Sequence, residues 1–177
     1  MANDHITERA QRIKLLLMDC DGTLTDGRIW LTADGDEQKA FHARDGQGIS
    51  VWHRAGFKSG IISGRASSGV KRRAHELKVK YVHEYAKNKV VALEDIIADA
   101  DVSVDECCFI GDDLGDIGVM RLVGLAVAVA DAAQDTKDAA HYITQLKGGA
   151  GAVREVIELI LKPQNRWDEL VGQVTSH

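Results

Sequence analysis

The feature that most constrains the fold is a short apolar run, Leu15 to Met18, that ends abruptly in Asp19-Cys20-Asp21-Gly22-Thr23. The run has no polar break and is too short for a helix, so it predicts a strand buried on both faces of a parallel sheet. Carboxylates beside such a strand need a metal, a partner charge or a chemical role to compensate their burial. In open α/β sheets, ligands bind just beyond the carboxyl ends of the strands. Asp19 and Asp21 are therefore candidate functional residues.

Further apolar segments alternate with helical patterns along the chain. Strands are predicted at 57–62, 81–83, 107–110, 125–129 and 142–144. This alternation predicts a doubly wound (Rossmann-like) α/β domain, that is, a parallel sheet with helices on both faces. We expect a single domain over 1–177, with a core at 8–162 and a tail at 163–177.

A projecting β-hairpin is expected after the first strand. Its predicted strands, 28–31 and 37–41, flank Asp34-Gly35, a pair typical of tight turns. The hairpin carries apolar side chains that it cannot cover by itself, so some of them are expected to contact another subunit. A loop at 43–48 and a short helix at 49–55 are expected next.

The composition excludes several classes of protein. The net charge of −5 argues against a general nucleic-acid-binding protein, because binding to the phosphate backbone needs a basic surplus. No apolar run approaches the roughly 20 residues of a membrane span, and the polar segment 1–12 lacks the apolar stretch of a secretory leader. Three cysteines, two of them adjacent, fit reduced thiols. We therefore expect a cytoplasmic protein without membrane or nucleic-acid partners.

Chemically reactive side chains follow three of the predicted core strands. They are Asp19 and Asp21 after the first strand, Ser63 after the strand at 57–62, and Asp112 and Asp113 after the strand at 107–110. Parallel strand ends meet at one edge of a sheet, and Lys89, at a predicted helix start, adds a cation. Clustered carboxylates repel each other and favour a hard divalent cation with oxygen ligands, and we expect Mg²⁺. The cation and Lys89 would admit a phosphate dianion, so the pattern predicts a site for phosphoryl transfer.

The two opening acids can divide the reaction between them. Asp19 can attack phosphorus in line and form an aspartyl-phosphate. Asp21 can reach the leaving oxygen as a general acid and then take a proton from the hydrolytic water. Ser63 and Lys89 would hold the phosphoryl oxygens.

Four motifs resemble those of the haloacid dehalogenase superfamily of phosphatases. They are D-x-D-G-T after an apolar strand, Ser after a second strand, a downstream Lys, and G-D-D-x-x-D, in that order between Leu15 and Asp116. The resemblance implies that Asp19 is the nucleophile and a metal ligand, and that Asp21 is the acid/base and gives its backbone carbonyl to the metal. It also implies the remaining roles: Asp112 as the third protein ligand of Mg²⁺, Ser63 and Lys89 as phosphate-binding residues, and Asp113 and Asp116 as carboxylates behind the ligands.

Further stretches resemble one family of that superfamily, the phosphatases of 3-deoxy-D-manno-octulosonate 8-phosphate (Kdo 8-phosphate). They are T-D-G at 25–27, the segment 41–46 with R-D-G, 61–65, and G-G-x-G-A-V-R-E-V at 148–156. The resemblance implies hydrolysis of this phosphorylated sugar acid for lipopolysaccharide biosynthesis, a core without a cap domain, and assembly as a homotetramer. We expect the hairpin and the tail to lie near a neighbouring subunit's site.

The substrate contacts of that family correspond to seven positions. They are His42, Ala43, Arg44, Asp45, Gly46, Arg65 and Arg73. Here His42-Ala43 replaces the common Asn-Val and Ser50 stands where Arg is frequent, and both differences bear on substrate affinity. Arginines near the inferred mouth suit an acidic sugar, because a guanidinium binds a carboxylate through two hydrogen bonds. Phosphatases of nonulosonate 9-phosphates also resemble this chain but tend to carry Glu where Arg65 stands, so Arg65 favours the octulosonate.

Other interpretations of the same residues stay open. Asp19 and Asp21 could cap a turn, and Asp113 could cap the following helix. Arg72 and Arg73 could belong to a solvated face. A receiver-like phospho-switch also gathers acids, a Ser or Thr, a Lys and Mg²⁺ at the end of a parallel sheet. In this chain the D-x-D spacing joins acceptor and acid/base on one strand, which favours turnover over stable phosphorylation.

Overall fold

The computed structural model describes residues 2–33 and 35–175 as alternating strands and helices. The strands are β1 (Leu15–Met18), β2 (Trp30–Leu31), β3 (Glu37–Gln38), β4 (Lys58–Ile62), β5 (Tyr81–His83), β6 (Cys107–Gly111), β7 (Leu125–Ala128) and β8 (Tyr142–Ile143). The helices are α1 (Ala2–Arg12), α2 (Ala43–Arg54), α3 (Ser68–Leu77), α4 (Lys89–Ala100), α5 (Ile117–Met120), α6 (Gln134–Asp138), α7 (Ala152–Leu161) and α8 (Trp167–Thr175). Short 3₁₀ turns lie at Val104–Glu106 and Leu114–Asp116.

Six of the strands form one parallel sheet in the order β5-β4-β1-β6-β7-β8. The chain runs from β1 outward to β4 and β5, and then returns to β6 on the other side of β1. Right-handed crossovers in opposite directions place helices on opposite faces of a sheet. The predicted doubly wound α/β fold is confirmed, and its switch point lies between β1 and β6.

The core lies on both sides of the central strands. Every residue of β1, β6 and β7 is buried, as the apolar runs predict for a parallel sheet covered on both faces. Helices α1 and α2 both pack on α7, and α4 packs on α5. No helix in the described part of the chain combines the length and apolar character that a membrane crossing needs.

Three local predictions differ from the structure. The loop predicted at 43–48 is wrong, because helix α2 already begins at Ala43. Gly46 and Gly48 weaken the helical pattern, but both are sites of close packing: a Cβ would overlap Arg73 at Gly46 and approach Arg154 at Gly48. Helix α1 was not expected, and the tail at 163–177 contains α8, whose Trp167 and Leu170 are buried against the core of their own chain.

The expected hairpin is present. β2 and β3 pair antiparallel, with Trp30 opposite Gln38, although both strands are shorter than predicted. Gly35 adopts a φ of +85°, as a tight turn requires. The other half of the predicted turn, Asp34, lies outside the described residues.

Candidate active site

The carboxyl ends of three neighbouring strands form the base of the site. β1 lies between β4 and β6, and parallel pairing aligns Met18 with a residue near the end of each neighbour. Asp19, Ser63 and Asp112 follow these strands and therefore emerge at one edge of the sheet. The structure thus brings together the three strand ends that the sequence singled out.

Three carboxylates cluster at this edge. Asp19, Asp112 and Asp116 each place one oxygen within 4.8 Å of the others. Asp19 and Asp116 are buried, and Asp112 is partly exposed. Negative charges this close repel each other, and a hard divalent cation or bound protons relieve the repulsion. The cluster contains two predicted metal ligands, Asp19 and Asp112. Asp116, which was predicted to lie behind the ligands, also places an oxygen in the cluster.

The protonation of this cluster is perturbed. Burial, followed by the charge of Asp116, raises the pKa of Asp19 to about 6. Burial, followed by the charges of Asp19 and Asp116, raises the pKa of Asp112 to about 8. Both shifts favour the neutral carboxyl, so a cation that binds these oxygens must displace protons.

Lys89 contacts the cluster from the first residue of α4. Asn88 caps this helix by accepting a hydrogen bond from the Val90 N–H at 3.1 Å. Lys89 Nζ lies 2.5 Å from Asp19 Oδ1 and 2.7 Å from Asp116 Oδ1. Burial disfavours the charged form of Lys89, but the two carboxylates outweigh it and raise the pKa of Lys89 above its ordinary value. The lysine is therefore a fixed cation beside the predicted nucleophile.

Asp116 and Asp113 shape the loop that carries Asp112. Asp116 Oδ2 accepts hydrogen bonds from the backbone N–H of Asp112 at 2.9 Å and of Asp113 at 3.2 Å. Asp113 is exposed, and its Oδ1 accepts a hydrogen bond from the Leu114 N–H at 2.8 Å. Asp113 therefore caps the following turn, as the alternative interpretation of this residue in the sequence analysis predicts.

A glycine turn supports the loop after β1. The backbone N–H of Gly149 donates to the Thr23 carbonyl at 3.0 Å. A Cβ on Gly148 would overlap the Gly22 carbonyl, so the two loops touch through their backbones. The glycine-rich stretch at 148–151 thus fixes the segment that carries both opening acids.

Ser63 is buried at the end of β4. Its hydroxyl oxygen accepts a hydrogen bond from the Arg65 N–H at 3.2 Å, and its own N–H donates to the His83 carbonyl at 2.8 Å. The side chain is therefore oriented by the turn that follows β4, at the edge that it shares with Asp19.

The hairpin reaches the site of its own chain through charged side chains that the sequence reasoning missed. Lys39 Nζ contacts Asp21 Oδ1, and it lies 3.1 Å from Glu37 Oε2. Glu37 in turn pairs with Arg65. The sequence signal was the i, i+2 spacing of Glu37 and Lys39, which places both on one side of a strand. The result is a row of alternating charges from the predicted acid/base to a predicted substrate contact.

The predicted substrate positions at 42–46 form the start of α2. His42 is the N-cap, and its Nδ1 accepts a hydrogen bond from the Arg44 N–H at 3.3 Å. Asp45 is 1% exposed, and its carboxylate accepts hydrogen bonds from the N–H groups of Gly151 at 3.2 Å and Arg154 at 2.8 Å. Asp45 therefore ties the first turn of α2 to that of α7. Gly46 is also buried, under the Arg73 side chain.

A basic cleft of about 440 Å³ opens beside Lys39. Its lining includes Lys39, Phe41, Ala43, Gly69, Arg72, Arg73 and Glu76. Arg73 forms an ion pair with Glu76 at 2.9 Å. A larger groove of about 750 Å³ is lined by Arg44 and residues of α7 and contains none of the clustered acids. The structure therefore brings Arg73 and Ala43 together at the basic cleft, whereas Arg44 lines the separate groove.

The known sequences that resemble this chain are phosphatases and related hydrolases. A family model for haloacid dehalogenase-like hydrolases matches residues 82–157. The 3-deoxy-D-manno-octulosonate 8-phosphate phosphatase of Salmonella typhi is 40% identical over 169 residues, which cover 96% of this chain and 90% of that protein. The phosphatase of the same name from Escherichia coli K12 is 39% identical over 168 residues, which cover 95% of this chain and 89% of that protein.

Several solved structures with similar folds carry this name or a variant of it. The crystal structure from Yersinia pestis matches with a TM-score of 0.91 at 41% identity, covering 93% of this chain and 89% of that one. The structure from Moraxella catarrhalis, in complex with a magnesium ion, a phosphate ion and Kdo, has a TM-score of 0.94 at 38% identity and covers 97% of this chain and 99% of that one. The cobalt-bound form of the deoxy-D-mannose-octulosonate 8-phosphate phosphatase from Haemophilus influenzae has a TM-score of 0.89 at 34% identity. It covers 94% of this chain and 99% of that one. The chain therefore belongs to the family of 3-deoxy-D-manno-octulosonate 8-phosphate phosphatases, within the haloacid dehalogenase-like hydrolases.

Proposed function

We propose that this chain is a Mg²⁺-dependent phosphatase that hydrolyses Kdo 8-phosphate to Kdo and phosphate. The observation that carries the proposal is the contact of Lys89 with Asp19 inside a cluster of carboxylates. A phosphate dianion needs positive charge around it, and an aspartate nucleophile needs the same phosphate within reach. We infer the substrate from the names of the relatives and the type of reaction from the geometry of the site.

The carboxylate cluster fits a magnesium site. Mg²⁺ prefers oxygen ligands, and Asp19 and Asp112 would hold it together with the backbone carbonyl of Asp21. Asp116 also shares its oxygens with Lys89 and the Asp112 loop, so it fixes the other ligands in place. When bound, the cation balances the charges of the carboxylates and the phosphate.

The first half of the reaction forms an aspartyl-phosphate. A carboxylate oxygen of Asp19 attacks phosphorus, and the bond from phosphorus to the sugar oxygen breaks. Asp21 gives a proton to that departing oxygen. Lys89 lies close enough to Asp19 to hold the phosphoryl group on it, and Ser63 donates a hydrogen bond to a phosphoryl oxygen.

The second half releases phosphate. Asp21 takes a proton from water as the water oxygen attacks phosphorus, and the bond from phosphorus to Asp19 breaks. Both aspartates then have their starting protonation. The net change is one water consumed and one sugar alcohol and one phosphate formed.

We propose that the sugar acid is selected at the basic cleft and the Arg65 loop. Arg73 and Arg72 line the cleft, and a guanidinium suits the sugar carboxylate. Arg65 pairs with Glu37, so a substrate carboxylate would compete with Glu37 for it. Because Asp45 and Gly46 are buried, we propose that they shape the first turn of α2 beneath the substrate.

A phosphate-release screen tests the function. It compares Kdo 8-phosphate, nonulosonate 9-phosphates and simple sugar phosphates under the same conditions. We expect sustained turnover with the highest kcat/KM on Kdo 8-phosphate. A higher value on a nonulosonate 9-phosphate would reassign the substrate, and one equivalent of phosphate bound without turnover would point to a phospho-switch.

We further propose a homotetramer in which the hairpin and the tail lie near a neighbouring subunit's site. Ile29, Trp30 and Leu31 are 44%, 60% and 73% exposed on the hairpin, an apolar patch that favours contact with another chain. The charged end of the same hairpin contacts its own site, so one hairpin can serve both. We propose a cytoplasmic location in lipopolysaccharide biosynthesis, in keeping with three free, buried cysteines.

A further inference from the structure

Lys39 is a buried cation outside the motifs that carry the reaction. Its side chain is 1% exposed although it belongs to a projecting hairpin. A lysine is rarely buried so fully unless its charge is paired. Here the ammonium has two carboxylate partners, Asp21 and Glu37. The hairpin therefore places a buried positive charge beside the proposed acid/base of the site.

The contact is selective for one atom of Asp21. Lys39 Nζ meets Oδ1, and the Asp21 side chain keeps 19% of its surface exposed. Oδ2 is then the atom that can carry a proton to the leaving oxygen and take one from water. Glu37 Oε2 lies 3.1 Å from the same ammonium, and Glu37 is itself paired with Arg65.

We propose that Lys39 is a positioning residue that orients the Asp21 carboxyl for proton transfer to the leaving oxygen. The inference rests on the proposed phosphatase function. General acid catalysis depends on a hydrogen-bonding distance between the acid and the departing atom, so a free Asp21 side chain would transfer its proton less often. Lys39 also lines the basic cleft, so the test must separate positioning of Asp21 from binding of the sugar.

The experiment compares leaving groups in the full-length Mg²⁺-loaded enzyme. The substrates are Kdo 8-phosphate, a sugar phosphate without a carboxylate, and p-nitrophenyl phosphate. An alkoxide must be protonated as it leaves, whereas p-nitrophenolate leaves without much help. The variants are Lys39→Met and Lys39→Arg. The control is Ser68→Ala, which removes another hairpin contact, the 2.6 Å hydrogen bond from Ser68 to Asp36, in which neither Lys39 nor Asp21 takes part.

We expect Lys39→Met to lower kcat/KM on both alkyl phosphates at least about tenfold more than on p-nitrophenyl phosphate. Lys39→Arg keeps a positive charge and should show a smaller extra loss on the alkyl phosphates than Lys39→Met, and Ser68→Ala should leave the ratio of kcat/KM between substrates unchanged. The ratio does not depend on the fraction of variant that folds. Equal losses on all three substrates would overturn the proposal. So would a loss confined to the substrate with a carboxylate, which would make Lys39 a sugar-binding residue.

The same experiment separates this inference from the function. If the wild-type enzyme hydrolyses some other alkyl phosphate better than Kdo 8-phosphate, the substrate assignment fails. The comparison of alkyl and aryl leaving groups then still tests Lys39 on the alkyl phosphate that is hydrolysed.

Discussion

Gly22 shows how one residue joins two requirements of the site. Its φ of +93° lies in the region that favours glycine. A Cβ at this position would also overlap the carboxylate of Asp112. The loop after β1 can therefore pass Asp112, the predicted metal ligand that follows β6, only without a side chain at Gly22.

Replacing this glycine should damage both stability and metal binding. We expect Gly22→Ala to lower the free energy of unfolding by about 1 to 3 kcal/mol from backbone strain alone. Displacement of Asp112 should weaken Mg²⁺ binding as well. Thermal unfolding with and without Mg²⁺ measures both effects. Gly64→Ala is a matched control, since a Cβ there meets no atom within 4 Å; an equal loss in the control would contradict this explanation.

At the residue scale, the sequence located the side chains that cluster at the sheet edge better than the residues that surround them. Asp19, Ser63, Lys89 and Asp112 each follow a strand or begin a helix, so local pattern places them. Lys39 lies 18 residues from Asp21, and nothing local shows where a hairpin docks. Asp45 sits in a motif that implies substrate contact, yet the backbone of α7 occupies its carboxylate.

At the scale of elements, α2 and α7 are joined at their first turns. The Asp45 carboxylate accepts hydrogen bonds from two N–H groups at the start of α7, where a negative charge also suits the helix dipole. Gly48 allows the two helices to approach closely near Arg154. This joint explains why the 43–48 segment is helical despite its glycines, a tertiary effect that local propensity does not contain.

Asp45→Asn tests the joint. The side-chain NH₂ of Asn would face one of the two backbone N–H groups that now donate to the Asp45 carboxylate, and that N–H would lose its acceptor. We therefore expect the free energy of unfolding to fall by about 1 to 3 kcal/mol. In the folded variant, KM for Kdo 8-phosphate should change by less than about threefold, because the carboxylate is used within the protein. Denaturant unfolding and steady-state kinetics check the two parts.

The control for this prediction is Asp138→Asn on the exposed side of α6, which should change stability by no more than about 0.5 kcal/mol. A large rise in KM for Asp45→Asn with unchanged stability would instead make Asp45 a substrate contact.

The hairpin is the element on which the proposed assembly depends. Trp30 and Leu31 are mostly exposed, and their replacement by Ser leaves the charged contacts of Glu37 and Lys39 in place. We expect the Trp30→Ser, Leu31→Ser double variant to shift a tetramer towards smaller species in light scattering at micromolar concentration. An unchanged mass for the variant, or a monomeric wild-type protein, would contradict the proposed role of this patch.

At the scale of the whole molecule, the carboxylate cluster links stability to pH and metal. Asp19 and Asp112, with pKa values raised to about 6 and about 8, keep protons in the folded chain where the unfolded chain has lost them. The metal-free protein should therefore lose stability as pH rises from about 4 through these raised values. Cation binding needs the same carboxylates deprotonated, so Mg²⁺ affinity should increase over that range.

We therefore expect a fixed Mg²⁺ concentration to raise the melting temperature more at pH 8 than at pH 6. Thermal unfolding at both pH values, with and without the cation, measures the difference. Asp112→Asn should remove most of the Mg²⁺ effect at pH 8. A shift that is the same at both pH values would contradict the link between the raised pKa values and metal binding.

The fold as a whole was predictable because its central strands are continuous apolar runs separated by helices. The parts that differ, α1, the start of α2 and α8, depend on tertiary contacts with other segments of the chain. Arg9 in α1 donates to the Gly124 carbonyl at 2.5 Å, and Arg166, just before α8, donates to the Ala55 carbonyl at 2.8 Å. These partners lie far away in the chain, and no local pattern encodes them.

The measurement that tests the central claim most directly is phosphate release from Kdo 8-phosphate by the wild-type enzyme and by Asp19→Asn, each with Mg²⁺. Asn keeps the size of the side chain but is not a carboxylate nucleophile. We predict many turnovers per wild-type active site and a fall in kcat of about 1,000-fold or more in the variant. Turnover by Asp19→Asn at a rate close to that of the wild-type enzyme would contradict the aspartyl-phosphate mechanism at Asp19.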